Sequence, residues 1–334
     1  MQEVFQRVLI LMTDSSFRSA LFNQDRQACH KFYSKNISGT SLVQLLNDLL
    51  FCSVSISLQS LNDIHPVCIL NSIKNFIGDD RENPSKPLLE FSVDYLCAFE
   101  FRDDDQTQLD EVVRDGIGLT AFLGDLEDAC QQGKWEELQT LTAKTFMASD
   151  RSRGTMDALA ELALQDCERN AIFISHLLRA YQFQDAKKDT WAFTKCILEW
   201  MSGKALLEPH DQADSSPSKI HDLMIETGDL SLLASVSRLW EGDYVRIRGY
   251  QREISHWCFQ TFFTASNIKP SPDHWLLKDK KRNFIHEAET IVKSQKSQSE
   301  KANALVILEA VRTLFKTASP TQFGILGARL DQLI

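Results

Sequence analysis

Helical punctuation organises most of this chain. Pro66 stands where a first helical residue would, Ile69, Leu70, Ile73, Phe76 and Ile77 follow at helical spacing, and Gly78 offers a stop. Proline suits that first turn because its missing N–H has no intrahelical partner there. Similar segments are predicted over 87–101, 119–132, 135–146, 155–165, 169–183 and 190–201, and three more close the chain near 281–295, 299–317 and 321–333. Gly133, Gly203, Gly228 and Gly242 fall at helix ends, with Asp229 and Asp243 placed as the next N-caps. Val54, Ile56 and Leu58 alternate as a strand would, with no partner run in view. The fold class read from this pattern is all-α, an irregular multi-helix bundle of antiparallel helix pairs. Gly133-Lys134-Trp135 and Gly242-Asp243-Tyr244 both set an aromatic two residues after glycine, which hints at solenoid-like stacking in the C-terminal two thirds.

A chain of 334 residues has room for two domains of roughly 150 residues each. The acidic stretch Arg102-Asp103-Asp104-Asp105-Gln106 breaks the apolar pattern and predicts a boundary, with an N-terminal helical domain over 1–102 and a larger one over 108–334. The polar run 208–219, with two prolines and three serines, reads as an exposed loop.

The formal net charge of -10 argues against nucleic acid as a partner, because phosphate binding needs clustered Lys and Arg. The densest basic run, Lys278, Lys280, Lys281 and Arg282, reads as a solvated helix start. Eight cysteines at long spacings include no Cys-x-x-Cys pair, and most have apolar neighbours, as small buried hydrophobes in a reducing compartment do. The apolar run Val8 to Met12 is too short for a signal sequence, and no stretch has the length of a membrane span. A cytoplasmic protein with no membrane partner is expected.

Motifs with known chemistry fail on spacing. The acidic triplet Asp103-Asp104-Asp105 lacks the Asp-Asp-x-x-Asp pattern that grips magnesium and diphosphate, since Thr107 and Gln108 occupy the required positions. Gly116-Ile-Gly118 lacks a preceding strand and a third glycine, so it is no dinucleotide loop. Trp257, Phe259, Phe262 and Phe263 read as core packing.

Histidines supply the candidate site. The helix 169–183 is apolar nearly all round, with Ile172, Phe173, Ala180 and Phe183 about His176 and a narrow polar stripe of Ser175, Arg179 and Gln182. His176 is therefore expected inside, as a neutral imidazole able to ligate a metal or take a proton. His65, just before Pro66, and His221, after the polar loop, are its candidate catalytic partners. Glu253 and His256 carry the Glu-x-x-His spacing of helical di-iron centres and are a weaker candidate metal pair, with no second such motif in the chain. On a helical wheel they share a face with Arg252 and Gln260, as a solvated pair would.

Two readings follow. One is a protein that binds a protein partner or small molecule through a groove between helices. The other is a helical-bundle oxidase or oxygenase using buried histidines, either cofactor-free or with iron or another transition metal as cofactor.

Overall fold

A computed structural model describes residues 16–34, 37–57, 64–117, 122–184, 187–203, 206, 208–261, 268–278 and 281–334. Val8 to Met12, Leu58, Gly118, Phe262, Phe263 and Lys280 lie outside them. The described chain is all-α, a multi-helix fold with no strand. In chain order the helices are α1 (Phe17–Phe22), α2 (Arg26–Tyr33), α3 (Gly39–Val54), α4 (Pro66–Asp79), α5 (Lys86–Leu96), α6 (Asp105–Asp115), α7 (Leu123–Gln131), α8 (Trp135–Ala148) and α9 (Gly154–Ala163). They continue as α10 (Cys167–Gln182), α11 (Thr190–Met201), α12 (Pro217–Thr227), α13 (Leu230–Glu241), α14 (Ile247–Gln260), α15 (Lys281–Lys293), α16 (Gln298–Leu314) and α17 (Pro320–Leu333).

Local chemistry explains most boundaries. Pro66, Pro217 and Pro320 sit in first turns, and Asp229 caps α13 by accepting from the Ser231 and Leu232 amides. Gly78 does not stop α4, which runs on to Asp79. The predicted cap at Asp243 is also absent, and α14 begins only at Ile247. The Tyr244 ring tucks so closely against Gly242 that a Cβ there would meet it at 2.1 Å, while Asp157 Oδ2 accepts from the Val245 amide at 2.8 Å. Tertiary contacts thus delay the helix by a turn. The strand-like alternation dissolves too. Val54 ends α3, and Ile56 makes a single antiparallel bridge with Phe101.

One hydrophobic core runs through the described chain on both sides of the acidic stretch, from Phe17 to Leu330. A small second cluster joins α6, α8 and α11 through Leu109, Val112, Ala143, Phe146 and Trp191. The acidic stretch itself is tied to α11. Arg102 Nη1 donates to Glu199 Oε2 at 2.7 Å, and the buried Lys195 Nζ reaches Asp104 at 2.7 Å and Asp105 at 3.0 Å.

Helices joined by tight corners, such as α7 with α8 and α12 with α13, pack on each other. At the centre, α4, α10, α13 and α16 touch in a cycle, each against the next. Their registers climb together: His65, Asn71 and Lys74 meet Phe173, His176 and Phe183 of the α10 segment, and Asn75 and Asp79 meet Glu309 and Arg312 of α16. Both neighbours of α4 in the ring therefore run parallel to it, a relation between helices far apart in sequence. No helix among the described residues is long and apolar enough to cross a membrane. All eight cysteines are free and buried, which pushes their thiols up and keeps them protonated.

Candidate functional site

The central helices are apolar along most of their length and turn polar near their C-terminal ends. Helix α4 is buried from Pro66 to Ile77, a stretch that contains Asn71, Lys74 and Asn75. Helix α10 buries Ser175 and His176 and carries Arg179 in its last turn, where α13 has Arg238 and α16 has Arg312. Polar groups buried in this way are unfavourable unless partnered, so their hydrogen bonds decide what the cluster is.

Glu309 is its hub, at 1% exposure. Its Oε1 accepts from Asn75 Nδ2 at 2.8 Å, and its two oxygens take Arg238 Nη1 at 2.8 Å and Nη2 at 2.5 Å in a fork. Arg238 donates as well to Thr313 Oγ1, and Arg312 clamps Asp79 with its Nη1 3.7 Å from Glu309 Oε1. Burial opposes ionisation of Glu309, but the Arg238 guanidinium, with Arg312 adding to it, holds the carboxyl at about 2.

Two cations in the same cluster have no such partner. Lys74, 8% exposed, faces the Phe183 ring with Nζ 5.0 Å from its centre, and among the described residues it makes no hydrogen bond or ion pair. Burial, and after it the Arg179 charge, lower its pKa to about 7. Arg179 is half-buried, its Nε is enclosed without a hydrogen-bond partner, and it too forms no ion pair among the described residues. Burial and then Arg238 lower its pKa. Lys74, Arg179, Arg238 and Arg312 thus set four cations against the two carboxylates of Glu309 and Asp79. Each helix C-terminus contributes roughly half a negative charge, which offsets this excess but gives Arg179 Nε no acceptor.

The predicted histidines are placed differently from one another. His176 is buried as expected and its Nδ1 accepts from Asn71 Nδ2 at 2.9 Å, while Asn71 Oδ1 and Ser175 Oγ are enclosed with no partner among the described residues. Burial lowers its pKa to about 3, so it stays neutral. His65 is buried as the N-cap of α4: Nδ1 accepts from the Val67 amide at 3.1 Å, which leaves the proton on Nε2, 3.4 Å from Cys196 Sγ. Burial takes it also to about 3. His221 lies on α12, with Nδ1 3.1 Å from Asp222 Oδ1. Among the described residues, no three His, Cys, Asp or Glu side chains are grouped so as to hold a metal ion.

Glu253 and His256 correct the helical wheel. Glu253 is buried at 1% exposure rather than solvated, and its carboxylate pairs not with His256 but with His210, Nδ1 to Oε2 at 2.6 Å. The His210 ring stacks on His256 with centroids 3.8 Å apart. His210 belongs to the polar loop, which is held to α14 by this pair and by the Ala213 amide on Ser255 Oγ at 3.0 Å. The loop ends at Ser216, the residue before α12. Its anchorage supplies a carboxylate partner that no helical periodicity could anticipate.

The buried histidines give a testable pH dependence. Both have folded-state pKa values below the ordinary 6.5, so the unfolded chain takes up protons that the native one refuses between pH 6.5 and about 3. Stability falls with pH through that window by about 1.4 kcal/mol per unit for each histidine. His65→Asn keeps a side-chain acceptor for the Val67 amide and removes one titration. Urea unfolding at pH 6.5, 6 and 5 should show its slope lowered by about that amount; unchanged slopes would refute the assignment.

Searches against protein families, curated proteins and solved structures find no match for this chain. Sequence reasoning placed Arg179 in a polar stripe but missed Lys74, Arg238 and Glu309. Glu309, a lone charge within Leu305-Val306-Ile307-Leu308-Glu309-Ala310-Val311, was the signal available. Its partner Arg238 lies 71 residues away and leaves no local trace.

Proposed function

We propose that this chain is a binding protein for a small anionic molecule, carrying a carboxylate or phosphate, that docks at the C-terminal ends of α4, α10, α13 and α16. The observation behind this reading is the enclosed Arg179 Nε, which has no acceptor among the described residues, beside a Lys74 that makes no ion pair among them, in a cluster where four cationic side chains meet two carboxylates. A buried donor without a partner is unfavourable, and a bound anion would satisfy Arg179 Nε and both charges together. Arg179, Arg238 and Thr313 are half-buried, so the cluster reaches the surface beside them. The acidic net charge does not bear on such a site, because exposed charges beyond about 10 Å are screened by salt while enclosed ones are not.

Thermal unfolding in rising inorganic phosphate tests the reading, with choline chloride matched for ionic strength as control. The expected result is a rise in midpoint that continues with the logarithm of phosphate concentration, as ligand linkage requires, and that Arg179→Gln abolishes. An equal rise in chloride, or one that survives Arg179→Gln, overturns it.

A further inference from the structure

The cluster contains a group that could itself become the missing anion. Lys74 is 8% exposed, with no carboxylate to hold its proton among the described residues and three arginines on the neighbouring helices. After burial itself, Arg179 is the charge that weighs most on it, followed by Glu309, Arg238 and Arg312. An ammonium in that company is repelled, whereas an anion on the same nitrogen would be held.

The geometry points to Lys74 Nζ as a site of carbamylation by dissolved CO2, the surrounding guanidinium groups retaining the product. The step balances without an oxidant or reductant. The neutral amine's lone pair attacks the carbon of CO2 and forms the N–C bond, one C=O electron pair moves onto oxygen, and the N–H proton leaves to solvent. The product, Nζ–COO⁻, turns one cation into one anion, so three arginines would then face three anionic groups, counting Glu309 and Asp79. Arg179 Nε, enclosed and unpaired, is the donor such a carbamate would use. Because only the uncharged amine reacts, burial that pulls Lys74 down to about 7 leaves a large share of it reactive at neutral pH.

This inference rests on the reading of the cluster as lacking an acceptor for Arg179 Nε, but it needs no external ligand. The test is carbon NMR of the protein in 13C-bicarbonate, beside unfolding in the same buffer stripped of CO2. The parent chain should show a protein-bound carbamate resonance and a higher unfolding midpoint in bicarbonate. Lys74→Met should lose both, Arg179→Gln should weaken the carbamate about tenfold through the lost charged hydrogen bond, and Lys293→Met, at an exposed position, should retain both. Absence of the resonance in the parent, or its persistence in Lys74→Met, overturns the proposal. A phosphate-induced rise in midpoint without a carbamate resonance would leave the ligand site standing and remove the carbamate. A carbamate without any phosphate response would do the reverse.

Discussion

Glu309→Gln is expected to destabilise the protein by about 3–5 kcal/mol, because it removes the carboxylate that Arg238 forks onto, buried at 1% exposure, and leaves that half-buried guanidinium without an ion-pair partner among the described residues. Glutamine fills nearly the same volume, so a packing defect would contribute little. The Asn75 amide could still donate to the new side-chain oxygen, which isolates the charge as the quantity tested. Urea unfolding of parent and variant gives the loss. A double-mutant cycle with Arg238→Met should return part of it, since neutralising both partners is milder than stranding one. A loss below about 1 kcal/mol, the range of exposed ion pairs, would mean that water reaches the pair and that the cluster is not a dry interior.

Lys74→Met should move stability the other way. An apolar side chain of similar length in place of an unpaired buried ammonium is expected to stabilise by about 1–4 kcal/mol at pH 6 in CO2-free buffer. The folded-state pKa, lowered from 10.5 to about 7, gives the sign of the pH dependence. Below about pH 7 both folded and unfolded chains carry the proton and the native state bears the full burial penalty. Between 7 and 10.5 the native chain has released that proton while the unfolded one retains it, so parent stability climbs with pH. The gain from Lys74→Met should therefore be largest below pH 7 and fade toward pH 10.5. A destabilised variant at pH 6 would show that Lys74 is a satisfied structural group. A stabilised variant that loses the phosphate response would mark Lys74 as a residue that sacrifices stability for binding.

The candidate site was half legible. Interior placement of His176 followed from a helix apolar on nearly every face, and burial is what keeps that imidazole neutral. His65, standing just before Pro66, caps α4, and His221 pairs with its neighbour Asp222, both contacts with residues next to them in sequence. The helical wheel misplaced Glu253, because a wheel counts only the residues of its own helix. His210 reaches Glu253 from a loop 43 residues away.

Element type was set by neighbours in the chain. Prolines in first turns, Asp229 as a cap and apolar residues at helical spacing act over a few residues, so they can be read in order along the chain. Those signals also sufficed for the all-α class and for most helix ends. Which helices become neighbours was decided only in three dimensions. Nothing local states that α4, α10, α13 and α16 close a ring, or that their polar ends meet. That meeting depends on complementary surfaces built from segments up to 234 residues apart, as Asn75 and Glu309 are. Capping and periodicity are short-range forces written into neighbours, whereas the charge balance of the interior is a sum over groups that folding alone brings together.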